Sequence, residues 1–299
     1  MKYNYAYQLF IVIVLFFESA VCIAQTSVYA EPRDVNRKQV VDEVRYRFTY
    51  RTMFSEDTVG KAKYYDNQAL EIGSIFIRYY SLFAETMDST KFWHTRGTRQ
   101  GGSFSLTEDL KPKEVGQYED IFINYPQSGD MTVYNVINKK AYVYAEPIPL
   151  IDWEITGKTD TILGYICQKA IAVFRGRTWH AWFTYEIPLH YGPWKLGGLP
   201  GLILRAEDSN GLYTYELIGM QQPGNEPMYR YDIQTISCKR EDIIRINDLR
   251  WKDPEKHALS NGSQGFMPMK RDAATGKLRK MTSAEYAASI RYIPQRELY

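Results

Sequence analysis

"GYICQKAIAVFRGRTWHAWFTY", Gly164 to Tyr185, decides the fold. Two runs rich in β-branched and aromatic residues, Gly164–Phe174 and Thr178–Tyr185, flank the short Arg175-Gly176-Arg177 turn. A turn this short joins only antiparallel neighbours, so the stretch reads as a hairpin. The pattern recurs outward. Leu202–Ala206, the "EDSNG" turn (Glu207–Gly211) and Leu212–Ile218 make a second hairpin. Ile121–Tyr125, Met131–Ile137 and Ala141–Ala145 are joined through "SGD" (Ser128–Asp130) and "NKK" (Asn138–Lys140), both turn signals. Val44, Tyr46, Phe48 and Tyr50 alternate with polar residues, the period of a half-exposed strand. Ile75–Tyr80 is a further strand, and Tyr229, Tyr231, Ile233, Thr235 and Ser237 alternate in a late one.

Helix is scarce. Ala84–His94 and Lys239–Trp251 are short candidates, and Thr282 with Glu285 fits a capping box before a tail helix. Gly262–Lys280 has loop composition and is expected to be mobile. Strands linked by turns rather than helices predict a mainly β fold. The expected form is a single curved antiparallel sheet, or an open half-barrel or sandwich, with a few short helices and a C-terminal appendage. No repeat or long linker divides the chain, so residues 25–299 are expected to form one β-rich domain, with 239–299 as a partly helical, partly mobile appendage.

The 299 residues carry 44% hydrophobic and 24% charged side chains, enough apolar material for a core. The 25 tyrosines favour pleated, half-buried surfaces. A net charge of +2 with intermixed signs argues against a nucleic-acid surface, which needs clustered positive charge. Lys2, the apolar Leu9–Phe17 run and the small-residue site Cys22-Ile23-Ala24 read as a signal peptide over residues 1–24. The apolar run is too short for a membrane span, and an uncleaved anchor or a lipidated Cys22 are the competing readings. Export to the periplasm, the outer membrane or the medium is therefore expected. Cys167 and Cys238 remain after cleavage; they permit one disulfide, and two buried free thiols would fit as well.

The most unusual stretch is "GPWKLGGLPGLILRAED", Gly192 to Asp208. It fails as a phosphate loop, because Gly198 stands where the Walker pattern needs Lys and β-favouring residues follow where a helix should start. Pro193 and Pro200 fix φ, and Gly197, Gly198 and Gly201 allow positive φ or close backbone approach. A structural crossing between strands, anchored by Trp194, is expected.

These residues carry a resemblance. "IPLHYGPWKLGGLPGLIL" (Ile187–Leu204) resembles the signature of the GLPGLI family, with Gly192, Pro193, Trp194, Gly198, Leu199, Pro200 and Gly201 as its structural positions. "DWEI" (Asp152–Ile155), "ILGYICQKA" (Ile162–Ala170) and "FRGRTWHAWFTYEIP" (Phe174–Pro188) look like its preceding blocks. "DNQALEIG" (Asp66–Gly73) and "YIPQREL" (Tyr292–Leu298) are similar to its edges, although the family's Asn-Pro-Ile-Glu-Leu-like ending departs here. The resemblance implies an exported bacterial protein and supplies no mechanism.

No catalytic constellation has good spacing. His94, His180, His190 and His257 form no zinc motif, no nucleophile elbow is present, and neither a metal nor a cofactor is expected. Asp152 and Glu154 would point to opposite faces of a strand, poor geometry for a glycosidase pair. Candidate binding residues are Asp152, Trp153, Arg175, Arg177, Trp194 and Lys195. Two readings follow. One is a noncatalytic envelope protein holding an unknown ligand or partner on a curved aromatic sheet. The other is an enzyme of unrecognised type with Asp152, Glu154, Arg175 or His180 in a cleft. Whether these side chains converge separates the two.

Overall fold

The computed structural model of the chain describes residues 38–55, 63–86, 114, 116–137, 140–252, 269–272, 275–282, 285 and 296–297. The signal peptide, His94 and His257 lie outside them, as does most of the Ala84–His94 helix, of which residues 82–86 are helical.

Sixteen strands and one longer helix are described. They run β1 (Lys38–Val44), β2 (Tyr46–Ser55), β3 (Lys63–Ile72), β4 (Ile77–Ser81), β5 (Glu119–Ile123), β6 (Asp130–Ile137), β7 (Lys140–Pro147) and β8 (Glu154–Ile162). Next come β9 (Tyr165–Phe174), β10 (Arg177–Thr184), β11 (Leu202–Asp208), β12 (Tyr213–Gln221), β13 (Glu226–Tyr231), β14 (Thr235–Ser237), α1 (Arg240–Lys252), β15 (Met269–Arg271) and β16 (Leu278–Lys280). Twelve strands form one sheet in the order β14-β7-β6-β5-β4-β3-β2-β12-β11-β10-β9-β8. All its neighbours are antiparallel except β14 and β7, which run parallel.

The β9–β10 hairpin closes at Arg175 and Gly176, with φ of 52° and 76° and Phe174 opposite Arg177. Positive φ at both central residues matches the right-handed twist of the flanking strands, which is why glycine occupies the second position.

The sheet curls. Nine strand steps separate β7 from β9, a span of about 43 Å if the sheet were flat. Instead Arg175, in the turn that follows β9, places Nη2 2.6 Å from Glu146 Oε2 at the end of β7. The edge strands β8 and β14 do not pair, so the curl stays open. Its concave face carries the core: Phe48, Tyr50, Tyr79, Ile121, Val133, Trp179, Leu204 and Tyr215 among others. On the convex face β1 and β13 form a separate two-stranded sheet, and Tyr231 lies near the buried Arg78–Asp120 pair.

Several sequence expectations change. β1, β3 and β8 were not legible as strands. The late alternating run divides into β13 and β14, which belong to different sheets. Within Gly262–Lys280, expected as a loop, β15 and β16 pair as a small hairpin. Thr282 and Glu285 exchange the two hydrogen bonds of a capping box, at 3.0 and 3.2 Å. Cys167 and Cys238 are free thiols rather than a disulfide. Cys167 sits in β9 at one end of the strand order, whereas Cys238 follows β14 at the other and contacts the Val143 carbonyl.

Candidate functional site

The open seam of the curl is filled by two segments: the crossing loop between β10 and β11, and the Arg296-Glu297 pair. In the crossing loop, Trp194 is 1% exposed and packs against Trp179 and Phe174 with ring centroids 5.7 and 5.8 Å away. Its own φ of 55° is unusual for a bulky side chain, which here is held by surrounding packing. Gly201 runs so close to β10 that a Cβ would stand 1.9 Å from the Thr184 carbonyl oxygen. Gly198 has φ 85° in open space. Trp153 Nε1 donates to the Gly197 carbonyl at 2.8 Å, and His190 Nδ1 lies 2.9 Å from the Leu199 carbonyl. The loop is thus fixed by its own backbone and by Trp153.

That anchoring delivers Lys195 to the seam. Its side chain is fully buried, a costly place for an ammonium unless it is paired. Nζ donates to Tyr144 Oη at 2.8 Å, to Glu146 Oε1 at 3.0 Å and to Glu297 Oε1. Arg175 binds the other oxygen of Glu146, and Arg240 donates to Glu297 Oε2 at 3.1 Å. Three cations therefore share two carboxylates. Burial pushes the Glu297 carboxyl up, but Lys195 and Arg240 outweigh it and hold the group below the usual carboxylate range. Burial and the neighbouring glutamates raise the Tyr144 phenol, which stays protonated.

Beside this basic corner is an acidic and hydroxyl-rich one. Buried Arg177 pairs with Asp208 at 2.8 Å and donates through Nε to the Arg296 carbonyl at 3.0 Å. The Arg296 guanidinium lies 3.0 Å from Glu119, 3.4 Å from Tyr215 Oη and 5.6 Å from the centre of the Trp194 ring. Its charge also acts on Tyr79, Tyr213 and Asp66. Asp66 accepts from Ser81 Oγ and the Gln117 N–H, both at 2.9 Å. Burial nonetheless pushes its carboxyl up to about 7, against the pull of those donors and of Arg296. A carboxyl that exchanges its proton near neutral pH, within reach of the Arg296 charge, has the properties of a general acid or base. No group of residues with metal-ligand chemistry occurs among the described residues.

Of the residues singled out in the sequence, Arg175, Arg177, Trp194 and Lys195 meet at this basin. Asp152 is exposed, Glu154 is exposed on β8, and His180 stands 4.0 Å from Glu207, away from the basin network. Sequence reasoning missed Asp66, Glu119, Tyr144, Glu146, Asp208, Arg240, Arg296 and Glu297. A signal existed for several. Glu146 continues the inward parity of Tyr142 and Tyr144, and Asp66 and Gln68 share that of Leu70 and Ile72. An acid in register with an apolar face is the mark of a polar interior.

Comparison with known proteins corrects the family resemblance. The family model that matches is described as N-glycanase peptide, N-terminal domain, and it aligns with residues 108–222, the span containing the glycine-rich signature. The GLPGLI assignment is overturned by that match. Two solved structures of PNGF-II, in P21 and C2 space groups, are similar at 16% and 17% identity, each with a TM-score of 0.43. The alignments cover 67% and 69% of this chain, and this chain spans only 32% of the length of those proteins. A search of curated proteins finds no match.

Proposed function

We propose that this protein acts on glycoprotein glycans, with the concave basin as its working site, and that it does so as an enzyme rather than as a passive binder. The observation that carries the reading is the match of residues 108–222 to an N-glycanase N-terminal domain. That span supplies Glu119, Tyr144, Glu146, Arg177, Lys195 and Tyr215, which line the basin. In this reading Asp66 is the proton-exchanging group, Glu119 the second carboxylate, and the Trp194 face beneath the Arg296 guanidinium the surface for a sugar ring. The apolar N-terminal run supports export to the compartment where glycoproteins are met. No helix among the described residues is long and apolar enough to cross a membrane.

The test is direct. The purified full chain is incubated with native and with denatured N-glycosylated protein, and released glycan is measured by mass spectrometry. Retention of the same glycoprotein on the immobilised chain is measured in parallel. Release that is lost in Asp66→Asn supports the enzymatic reading. Retention without release returns the protein to the noncatalytic class, and neither result would leave the glycan reading without support.

A further inference from the structure

The basin is already occupied by the chain itself. Arg296 and Glu297 reach it from far along the sequence and are held there by hydrogen bonds, ion pairs and a cation–π contact. Neither belongs to the apolar cluster that holds the sheet together. Desolvation offsets much of the attraction in such pairs, so each pair as a whole adds little net stability; removing one member strands the other unless water or a ligand reaches it. The two side chains are also matched to opposite halves of the basin. Without Glu297, the basic corner would hold Lys195 and Arg175 against Glu146, with Arg240 drawn to the exposed Glu241 at 2.9 Å. Without Arg296, the acidic corner would expose Glu119 beside the hydroxyls of Tyr79 and Tyr215, with Asp66 behind them. Two donors on basin residues, Trp194 Nε1 and Arg175 Nε, are buried with no hydrogen-bond partner among the described residues. An adjacent hydroxyl-rich ligand would give them one.

We propose that Arg296 and Glu297 are an internal ligand of the basin, and that a glycan enters by displacing them. This rests on the glycan-directed reading above and adds its regulation: the chain is held closed until the pair withdraws. A carbohydrate suits the vacated space, since its hydroxyls both donate to Glu119 and Glu146 and accept from Lys195 and Arg175, while its apolar face stacks on an indole.

The experiment uses the full chain carrying Arg296→Ala with Glu297→Ala. Lys195 is labelled with an amine-reactive reagent and its modification rate is read by peptide mass spectrometry. The fully buried ammonium of the unaltered protein should label at least tenfold more slowly than in the double variant. A synthetic peptide of residues 291–299 should restore protection to the variant, and the same peptide with both alanines should not. Glycoprotein retention should rise in the variant and fall when the peptide is added. Continued protection of Lys195 in a folded variant would overturn the proposal. So would a double variant that loses its far-UV signal and is not rescued by the peptide, because the pair would then be a structural staple. The charge-conserving pair Arg296→Lys with Glu297→Asp keeps the fold and should give intermediate labelling. If the glycan reading alone is wrong, the peptide still protects Lys195 while glycoprotein retention fails to respond.

Discussion

Replacing Trp194 with alanine tests how the crossing loop is held. The side chain is 1% exposed, and its ring meets Phe174, Trp179 and the Arg296 guanidinium at 5.8, 5.7 and 5.6 Å. Truncating a buried tryptophan costs about 3–5 kcal/mol. One term opposes that loss: Trp194 Nε1 is a buried donor with no partner among the described residues, and removing it returns about 1 kcal/mol. The backbone offers no relief, because alanine at φ 55° is as awkward as tryptophan there. The net expectation is about 3 kcal/mol, or a fall in Tm of roughly 6–12 °C for a domain of this size. Trp194→Phe keeps most of the ring and deletes the orphan donor, so it should cost less than about 1.5 kcal/mol. Urea unfolding followed by far-UV circular dichroism measures both. An alanine variant that melts with the unaltered protein would refute the reasoning and recast the loop as a recognition element, free to move without disturbing the sheet.

Gly201→Val should be at least as damaging, since a Cβ 1.9 Å from the Thr184 carbonyl forces β10 and β11 apart; thermal melts compared with Gly198→Ala, where space is open, separate crowding from φ strain. The Asp66 carboxyl keeps its proton to about pH 7 in the folded chain and loses it near 4 when unfolded, so its contribution is intact below about pH 4 and declines as pH rises towards 7. Asp66→Asn should remove that decline, read as the difference in urea midpoint between the two proteins across the same pH range. The Cys167 thiol, buried and pushed up to about 11, should resist alkylation at pH 8 in the folded chain and react once urea is added, with peptide mapping to distinguish it from half-buried Cys238.

The hairpins were readable because strand period and turn chemistry are local. Gly164–Tyr185 carries both, and its pairing follows from them with Phe174 opposite Arg177. β3 was harder. Lys63–Ile72 includes Asp66, Asn67, Gln68 and Glu71, residues poor in strand propensity, which the sheet accommodates by burying Asp66 and Gln68 in a hydrogen-bonded interior. β8 was hidden for another reason: Glu154–Ile162 lies at the sheet edge, mostly exposed, and interrupts its register at a bulge, so no apolar alternation marks it. Half of the basin was legible, as Arg175, Arg177, Trp194 and Lys195 stand out among the glycines and aromatics. The other half depends on curl. Nothing local says that β7 and β10 meet across eight strand steps, or that residues 296 and 297 return to the seam between them.

That division bears on what the basin can do. The receiving surfaces, from Glu119 through Lys195 to Tyr215, lie inside the span matched by the N-glycanase N-terminal domain, whereas Arg296 and Glu297 lie outside it. Asp66, the carboxyl tuned towards neutral pH, also lies outside it, on β3. Substitutions at Lys195 or Glu119 therefore disturb the frame and the chemistry together and cannot separate them. Substitutions at Asp66, Arg296 and Glu297 can. Asp66→Asn keeps one oxygen acceptor, for the Gln117 N–H, and turns its amide N–H towards Ser81 Oγ, which can accept it, while removing the proton exchange; the Arg296 and Glu297 changes delete no member of the apolar core. If glycan release is lost with Asp66→Asn and raised with Arg296→Ala and Glu297→Ala, the carboxyl performs the chemistry and the pair governs access to it. If both changes abolish release equally, the basin is a structural knot and the chemistry must be sought elsewhere on the chain.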